Sequence, residues 1–308
     1  MYKVFIDGAE GTTGLKIHQY FSRRDDIKLI EIDPKKRKDL EERVKCMKKA
    51  DVSFLCLPDA AAREAAAAAP GYCRILDTST AHRTNEKWVY GMPELCKQQR
   101  EKIKDSNRVA VPGCHATGVI LLVKPLIEAG LLTKDKHLSA ISLTGYSGGG
   151  KKMIAEYEAE ERAKCDKDLL ISPRQYGITQ NHKHIPEIKA ATGLINNPAF
   201  IPIVADYYSG MEVTIPVGSI GTPDQIKKIL EEYYSGQFLV KVCEYEEDNN
   251  FVAANRLSGT NRLEITVKGN EDNVILIATY DNLGKGASGA AVQNMNIMLG
   301  IEETKGLI

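Results

Sequence analysis

The residue best suited to chemistry in this sequence is Cys114, within the segment Val-Pro-Gly-Cys-His-Ala-Thr-Gly at 111–118. The residues before it resemble a strand end and a Pro-Gly turn, so the pattern predicts that Cys114 begins a helix. Unpaired N–H groups and the dipole at a helix N-terminus favour a thiolate, and they could also hold the oxyanion of a tetrahedral intermediate. The alternative is a small apolar residue that fills a helix start, because free cysteines are often buried.

Two histidines, His182 and His184, lie two residues apart in the polar segment 173–187. Histidine is the usual general acid or base near neutral pH, and a thiol nucleophile needs such a partner. We expect one of the two to act as the general acid or base for Cys114, and the sequence leaves open which one. A surface pair is the second interpretation. A metal-binding arm ranks third, because no further ligand cluster is visible, and no metal is expected.

A glycine-rich turn follows the first predicted strand and precedes a helical pattern. Gly8 would allow a sharp turn, Gly11 would let the backbone approach a pyrophosphate, and Gly14 would allow close helix packing. The phosphate would lie at the helix N-terminus, with Thr12 and Thr13 as hydroxyl donors. The motif therefore predicts a dinucleotide site, against the alternative of an ordinary strand–helix turn.

The end of the second predicted strand carries conflicting signals about the nucleotide. Glu31 and Asp33 would favour a free ribose 2′-hydroxyl, whereas the basic run Lys35–Lys38 would favour a 2′-phosphate. We favour NADP, because the basic residues lie in the turn itself.

Three further polar or glycine-rich segments follow predicted strands, at 77–83, 144–152 and 281–289. The first could bind phosphate or ribose, or it could be a solvated turn. The other two could bring backbone N–H groups close to a ligand. The predicted cofactor-binding residues in these segments are Ser79, Ser147, Gly148 and Asn282. The predicted substrate-binding residues are Arg83, Arg174 and His115. Because neighbouring residues on a helix point in different directions, we expect His115 to support the site structurally and not to act directly on Cys114.

The order of elements predicts two domains in the chain of 308 residues. Strands and helices alternate over about 110 residues, which indicates a doubly wound parallel sheet of the α/β class. After Cys114 the strands from Ile201 onward alternate polar and apolar residues, which predicts an α+β domain with a mainly antiparallel sheet. Charged helices are expected over 36–50 and 152–164, and a strand over 238–245.

Composition narrows the function further. The 41 basic and 41 acidic residues cancel, so a dedicated nucleic-acid surface is not expected. No apolar run reaches the roughly 18 residues of a membrane span, and the chain begins directly with a strand, so neither a membrane partner nor a signal peptide is expected. The seven scattered cysteines are typical of a reducing cytosol, and we expect a cytoplasmic protein.

Taken together, the motifs resemble those of the N-acetyl-γ-glutamyl-phosphate reductases of the short, type 2 form. The likeness covers essentially the whole chain. The segments that carry it are 4–14, Ser79-Thr-Ala-His-Arg83, 111–118, 145–151, His182-Lys-His-Ile-Pro-Glu187 and 282–289. The segment 171–178, which contains Arg174, departs from the form expected for most type 2 members.

This resemblance implies an NADPH-dependent reduction of an acyl phosphate to an aldehyde through a cysteine thioester, in arginine biosynthesis. It implies the two-domain plan of aspartate-semialdehyde dehydrogenase, with a C-terminal helix that returns to the nucleotide domain. We therefore expect a dinucleotide-binding domain at 1–113 with 287–308, a catalytic and dimerisation domain at 114–286, and a homo-oligomer (dimer or tetramer). Two alternatives remain: a reductase of an aspartyl or amino-adipyl phosphate, and a non-catalytic NADP-binding redox sensor.

Overall fold

The computed structural model describes residues 1–164, 169–244 and 251–308. These residues divide into two compact units, Met1–Gly113 with Ala287–Ile308, and Cys114–Gly286. Each unit has its own sheet. Of the seven cysteines, Cys165 lies outside the described residues, and the other six are free thiols.

The first unit contains a six-stranded sheet in which every pairing is parallel. Its strand order is β2-β1-β3-β4-β6-β5. The predicted parallel, doubly wound sheet is thereby confirmed. The strands are β1 (Tyr2–Asp7), β2 (Ile27–Ile30), β3 (Val52–Leu55), β4 (Ile75–Asp77), β5 (Val89–Tyr90) and β6 (Arg108–Ala110).

The helices of this unit are α1 (Thr12–Phe21), α2 (Leu40–Lys49), α3 (Asp59–Ala68), α4 (Gln99–Asp105) and α9 (Gly289–Leu299). The helix expected over 36–50 begins later, at Leu40. The reason is the Asp39 carboxylate, which accepts hydrogen bonds from the backbone N–H groups of Glu41 and Glu42 and so caps the helix there. Sequence periodicity did not predict the short strand β5 or helix α4.

The C-terminal helix α9 belongs to the first unit. It is nearly all buried, yet it carries amides whose polar atoms need partners. Asn296 Oδ1 accepts a 2.7 Å hydrogen bond from Arg24, and Gln293 donates to Glu94 at 2.9 Å. Asn294 donates to the carbonyl of Gly91 at 2.8 Å. These hydrogen bonds hold α9 against the rest of the first unit, although α9 is distant from it in the sequence.

The second unit contains a seven-stranded mixed sheet with the order β11-β12-β13-β10-β7-β9-β8. Four of its pairings are antiparallel, but β7 pairs with β9 in parallel and β11 pairs with β12 in parallel. The predicted mainly antiparallel sheet is therefore confirmed, although the strands from Ile201 onward are not all antiparallel, since β11 and β12 run parallel. The strands are β7 (Ser139–Gly145), β8 (Arg174–Gln175), β9 (Ala199–Ala205), β10 (Met211–Gly218), β11 (Val240–Val242), β12 (Leu263–Gly269) and β13 (Val274–Tyr280).

Helix α5 (Cys114–Glu128) packs on β10 and β13 and against α7 (Ile185–Thr192) and α8 (Pro223–Tyr233). It continues through Pro125, which has no N–H to give to the carbonyl of Leu121. The Tyr234 hydroxyl donates to that carbonyl at 2.6 Å and replaces the missing bond. The predicted strand over 238–245 is observed only as β11, and Tyr245 lies outside the described residues.

The glycine-rich segment 145–150 is more regular than expected. It forms a 3-10 turn (Tyr146–Gly149) and then the start of α6 (Gly150–Tyr157), and a second 3-10 turn spans Glu160–Lys164. The chain can turn there because Gly150 adopts a positive φ of 71°. The helix predicted over 152–164 is therefore two shorter pieces. No helix in the described ranges combines the length and the apolar character that a bilayer crossing requires.

Candidate active site

Cys114 is the first residue of α5, as the strand–turn–helix pattern predicted, and it is half-buried. The hydroxyl of Tyr280 donates to the Cys114 carbonyl at 2.6 Å and accepts from the Gly118 N–H at 3.1 Å. Tyr280 is fully buried, and its bond with Gly118 lies away from water. This clamp fixes the first turn of the helix and with it the thiol.

Two glycines make room for this arrangement. A Cβ on Gly118 would lie 2.8 Å from the Tyr280 hydroxyl and 2.6 Å from Val213. A Cβ on Gly286 would lie 3.1 Å from the Cβ of Cys114. Both positions therefore need glycine, or a shift of the neighbours, for the tyrosine and the thiol to keep their places.

Four other cysteines are held as thiols by their surroundings. Burial raises the pKa of Cys56 to about 12, and it also raises the pKa values of Cys46, Cys73 and Cys243. Their low thiolate content opposes reaction with electrophiles. The structure therefore limits the number of cysteines that could compete with Cys114 as a nucleophile.

Three imidazoles form a cluster, and one of them belongs to His115, the residue that follows Cys114. The ring centre of His115 lies 5.8 Å from that of His182 and 5.5 Å from that of His184, and the last two are 4.8 Å apart. Phe200 packs against His115 and His182 at 5.4 and 4.8 Å. The structure therefore brings the predicted His-x-His pair to the residue that follows the candidate nucleophile.

Both ring nitrogens of His115 are engaged within the protein. Nδ1 is 2.6 Å from the Ser142 hydroxyl, and Nε2 is 2.7 Å from the Tyr176 hydroxyl. Burial, with smaller effects from His182 and Lys183, lowers the pKa of His115 to about 3. His115 is therefore neutral at pH 7, and its ring contacts two hydroxyl groups.

His182 and His184 differ in exposure. His182 is half-buried and its Nδ1 accepts the backbone N–H of His184 at 3.3 Å, whereas His184 is only 4% exposed. Burial, with a smaller effect from Lys183, lowers the pKa of His182 to about 4. A neutral imidazole at pH 7 can accept a proton, which suits a general base.

Within the described residues, no three His, Cys, Asp or Glu side chains are arranged to hold a metal ion. The His-x-His pair instead contacts another imidazole and a phenylalanine. The two histidines therefore lie in an aromatic environment.

Ser147, Gly148 and Asn282, three of the residues predicted to bind the cofactor, lie together in the second unit. The buried Asn282 amide donates to the Ser147 hydroxyl at 3.0 Å and accepts from the Gly210 N–H at 2.9 Å. A Cβ on Gly148 would lie 3.5 Å from the same amide. Asn282 therefore links the turn that contains Ser147 and Gly148 to the backbone at Gly210.

Arg174, a predicted substrate-binding residue, lies against Tyr157. Its Nε and Nη2 donate to the Tyr157 hydroxyl at 3.2 and 3.0 Å, and its guanidinium lies 5.2 Å from the ring centre. Nη1 is 3.6 Å from Glu156. The guanidinium is held on a partly exposed surface, where an anion could reach it.

In the first unit, the glycine turn fits a dinucleotide. Gly8 has a φ of 86°, and a Cβ there would lie 2.3 Å from the Cys56 carbonyl oxygen. A Cβ on Gly14 would lie 2.6 Å from the Gly8 oxygen, which allows α1 to start close to the turn. A Cβ on Gly11 would meet nothing nearer than 3.4 Å, so this residue leaves room for a ligand. Thr12 and Thr13 form the first turn of α1.

A cleft of about 550 Å³ adjoins this turn. Its lining includes Gly8, Glu10, Glu31, Arg37 and Lys38. Arg37 forms an ion pair with Glu10 of the glycine turn. The cleft therefore has both acidic and basic groups, as the sequence indicated, and the arginine reaches the turn itself.

The wall of the cleft depends on a buried ion pair between Asp7 and Arg43, 2.7 Å apart. Burial raises the pKa of Asp7, although the Arg43 hydrogen bond and charge lower it. Because an unpaired buried carboxylate would be costly, the pair holds the end of β1 against α2.

Ser79 and Arg83 are tied to their own unit. The Ser79 hydroxyl donates to Asp77 at 2.8 Å, and the same carboxylate oxygen is 2.6 Å from His82 Nδ1. Arg83 donates from Nε to the Val111 carbonyl at 2.9 Å and from Nη2 to Thr78 at 3.0 Å. The polar segment 77–83 is therefore an ordered network, not a solvated turn.

Neither Tyr176 nor Ser142 has a role that the sequence pattern predicts. Both hydroxyls contact His115, from positions 61 and 27 residues away in the chain. The only signal available was the presence of Tyr176 in the same polar segment as the histidines. Ser142 lies in β7 between Ile141 and Leu143, and nothing in its local sequence marks it.

Family models match both units. The model described as "Semialdehyde dehydrogenase, NAD binding domain" matches residues 3–106, and "Semialdehyde dehydrogenase, dimerisation domain" matches residues 114–282. A protein from Nostoc sp. named N-acetyl-gamma-glutamyl-phosphate reductase 2 is 42% identical, over 99% of each chain. An N-acetyl-gamma-glutamyl-phosphate reductase from Brucella anthropi is 43% identical, over 97% of this chain and 98% of its own.

Solved structures with the same fold include aspartate semialdehyde dehydrogenase from Francisella tularensis, with a TM-score of 0.71 at 15% identity, over 97% of this chain and 100% of that one. Aspartate semialdehyde dehydrogenase II from Vibrio cholerae gives a TM-score of 0.69 at 15% identity, over 97% and 98%. At this identity the likeness establishes the fold.

The lowered pKa of His115 predicts a loss of stability in acid. In the unfolded chain the imidazole titrates near 6.5, whereas in the folded protein it stays neutral down to about pH 3. The unfolded state therefore binds an extra proton as the pH falls below 6.5, and the free energy of unfolding decreases there by about 1.4 kcal/mol per pH unit for this residue.

Urea unfolding of the protein and of His115→Gln at several values between pH 7 and pH 4 measures this effect. We expect a shallower pH dependence in His115→Gln and an unchanged one in His137→Gln, which replaces an exposed histidine. Equal slopes in all three proteins would contradict the assignment of a buried neutral imidazole.

Proposed function

The chain belongs to the semialdehyde dehydrogenase family and, within it, to the N-acetyl-γ-glutamyl-phosphate reductases, and we propose how its residues carry out that reaction. It is an oxidoreductase of arginine biosynthesis that reduces N-acetyl-glutamyl 5-phosphate to N-acetyl-glutamate 5-semialdehyde and releases phosphate. The observation that carries the mechanism is the position of Cys114 at the start of α5, next to a cluster of three imidazoles.

Cys114 is the nucleophile of the proposed reaction. Its thiolate attacks the carbonyl carbon of the acyl phosphate, and the helix N-terminus supports the negative charge that develops on the carbonyl oxygen. The C–O bond to phosphate then breaks, and the acyl group remains on sulfur as a thioester. A thiol suits this step because a thioester is readily reduced and a thiolate is nucleophilic near neutral pH.

The His182–His184 pair supplies the acid–base chemistry. One imidazole takes the thiol proton before attack and gives it to the alkoxide that hydride addition to the thioester leaves. It then takes the proton back from the thiohemiacetal hydroxyl as the C–S bond breaks, so that the aldehyde leaves and the thiolate re-forms. A nicotinamide dinucleotide, when bound, would supply the hydride that reduces the thioester. The neutral state of His182 at pH 7 supports the role of proton acceptor.

The cofactor of the family's NAD-binding domain is a nicotinamide dinucleotide, and we assign the phosphorylated form, NADP. Gly8, Gly11 and Gly14 would cradle the pyrophosphate, with Thr12 and Thr13 as donors at the start of α1. Arg37 in the adjoining cleft would bind the 2′-phosphate. Ser79, Ser147, Gly148 and Asn282 stay predicted cofactor-binding residues.

The substrate is an anion at both ends, which requires cationic partners. We assign Arg83 and Arg174 to substrate binding, because each guanidinium is held in place by protein hydrogen bonds. His115 supports the site through Ser142 and Tyr176. Residues 1–113 with 287–308 form the dinucleotide-binding domain, and 114–286 form the catalytic domain.

The second unit also supports self-association, and we propose a homo-oligomer. Its match to a dimerisation domain is accompanied by a sheet face with half-buried apolar side chains. Burying such a face against a second copy would be favourable, because it removes apolar surface from water. The face carries Ile141, Leu143, Ile201, Ile203 and Ile275.

Replacement of the nucleophile tests the covalent step. Cys114→Ser should lower phosphate-dependent oxidation of N-acetyl-glutamate semialdehyde by at least about 10³-fold, because a serine hydroxyl remains protonated at neutral pH. NADP binding, measured by fluorescence titration, should stay nearly unchanged. The assay is run beside aspartate semialdehyde and the amino-adipate analogue, to test the substrate.

Cys73→Ser is the matched control, since it changes a buried cysteine outside the proposed mechanism. Substantial turnover by Cys114→Ser would exclude the thioester. Faster turnover of another semialdehyde by the parent enzyme would exclude the proposed substrate, and nucleotide binding without phosphate-dependent turnover would indicate a redox sensor.

The histidine pair can be resolved by replacing each member with asparagine. The variant that loses the general base should lose about 10²–10⁴-fold in kcat/KM and the acidic limb of its pH profile. The other variant should keep the parent profile with a smaller loss. Parent-like pH profiles in both variants would show that neither residue is the acid–base group.

The NADP assignment predicts a specific role for Arg37. Arg37→Ala should raise the KM for NADPH by about 10- to 100-fold and leave the KM for NADH nearly unchanged, because only NADPH has a 2′-phosphate to pair. Arg23→Ala removes the same charge from an exposed position and should leave both constants as in the parent. Equal effects on both nucleotides in Arg37→Ala would contradict this role.

A further inference from the structure

The hydroxyl of Tyr176 is a polar group near the nucleophile that the reaction described above does not use. It is 2.7 Å from His115 Nε2, and His115 directly follows Cys114 in the first turn of α5. The tyrosine ring lies 5.9 Å from that of His182 and is only partly covered by protein. Tyr176 thus lies in the same cluster as the proposed acid–base pair.

The direction of its hydrogen bond follows from Ser142, at the other end of the His115 ring. Ser142 is fully buried, and its one hydrogen-bond partner among the described residues is His115 Nδ1, at 2.6 Å. If Ser142 accepted this bond, its own hydrogen would be buried without an acceptor, which is costly. Ser142 therefore donates to Nδ1.

This fixes the state of the imidazole. Burial lowers the pKa of His115 to about 3, so the ring carries one proton at neutral pH. With Nδ1 accepting from Ser142, that proton is on Nε2 and is donated to the Tyr176 oxygen. The chain of hydrogen bonds runs from Ser142 through His115 to Tyr176.

As a result, the hydrogen of the Tyr176 hydroxyl is not used by His115. No other hydrogen-bond acceptor contacts this hydroxyl in the described part of the chain. The hydrogen also stays in place, because burial raises the pKa of Tyr176 and the nearby charge of Cys114 raises it further. Tyr176 is therefore a donor aimed by protein groups and unable to act as a base at neutral pH.

We propose that the Tyr176 hydroxyl is a catalytic hydrogen-bond donor to the oxygen that becomes negatively charged when Cys114 adds to the acyl carbonyl. Ser142 and His115 are positioning residues that hold the tyrosine oxygen as an acceptor and so leave its hydrogen for the substrate. The proposal rests on the proposed function, since it needs a tetrahedral intermediate on Cys114. No bond to Tyr176 is made or broken, and no proton leaves it.

The test is the kcat and KM of Tyr176→Phe in phosphate-dependent semialdehyde oxidation. Loss of one oxyanion donor lowers kcat by about 10²–10³-fold, while the KM for the semialdehyde should change less than about threefold. Phenylalanine keeps the ring, so the melting temperature should stay close to that of the parent. Ser142→Ala should lower kcat in the same direction by about tenfold, because it frees His115 to adopt the other tautomer.

Two further measurements make the result specific. Tyr208→Phe removes the hydroxyl of an exposed tyrosine in the same unit and should keep parent kcat and KM. The rate of Cys114 alkylation by iodoacetamide against pH should have the same midpoint in Tyr176→Phe and in the parent, since the proposed donor acts on the carbonyl oxygen and not on sulfur.

A kcat within threefold of the parent in Tyr176→Phe would overturn the proposal. A shifted alkylation midpoint that accounts for the rate loss would also overturn it, because Tyr176 would then be a partner of the thiolate. Assay of the parent enzyme distinguishes failure of this proposal from failure of the proposed function. Turnover by the parent with a normal Tyr176→Phe rejects this proposal alone, whereas absence of phosphate-dependent turnover rejects the proposed function and this inference with it.

Discussion

The arrangement of the site depends on one buried hydrogen-bonded clamp, in which the Tyr280 hydroxyl bridges the Gly118 N–H and the Cys114 carbonyl. A fully buried phenol must find partners, and the first turn of α5 provides one donor and one acceptor. The clamp holds the thiol at the helix N-terminus and sets the direction of the next residue, His115. The absence of a Cβ at Gly118 and Gly286 is the steric condition for it.

Burial then determines which groups can take part in proton transfer. The same loss of solvation that raises the pKa values of Cys46, Cys56 and Cys73 lowers those of His115 and His182. A buried thiol becomes less reactive, whereas a buried imidazole becomes a neutral acceptor. Repulsion between close imidazoles acts in the same direction. One physical effect thus keeps these cysteines protonated and these histidines neutral near pH 7.

The first unit depends on a different constraint. Its glycine turn brings the backbone at Gly8 close to Cys56, and the backbone at Gly14 close to Gly8. Gly8 and Gly14 have no room for a Cβ, whereas a Cβ on Gly11 would meet nothing nearer than 3.4 Å. The turn is supported from behind by the buried pair of Asp7 and Arg43. Buried amides of α9 complete the unit from the other end of the chain, so a helix at 289–299 stabilises a sheet built from residues before 111.

The sequence alone determined the features that depend on neighbours in the chain: the strand–turn–helix at Cys114, the tight turn at Gly8 and the close packing at Gly14, and the parallel sheet of the first unit. Helix boundaries were less well predicted, because a cap at Asp39 or a positive φ at Gly150 decides them. The tertiary structure alone decided the parallel pairing of β7 with β9 and the chain from Ser142 through His115 to Tyr176. Ser142 reaches His115 because the register of β7 against β10 sets it opposite Val213, under α5. Contacts of this kind join residues that are far apart in the sequence. They depend on the sheet register, which a local pattern of residue types does not predict.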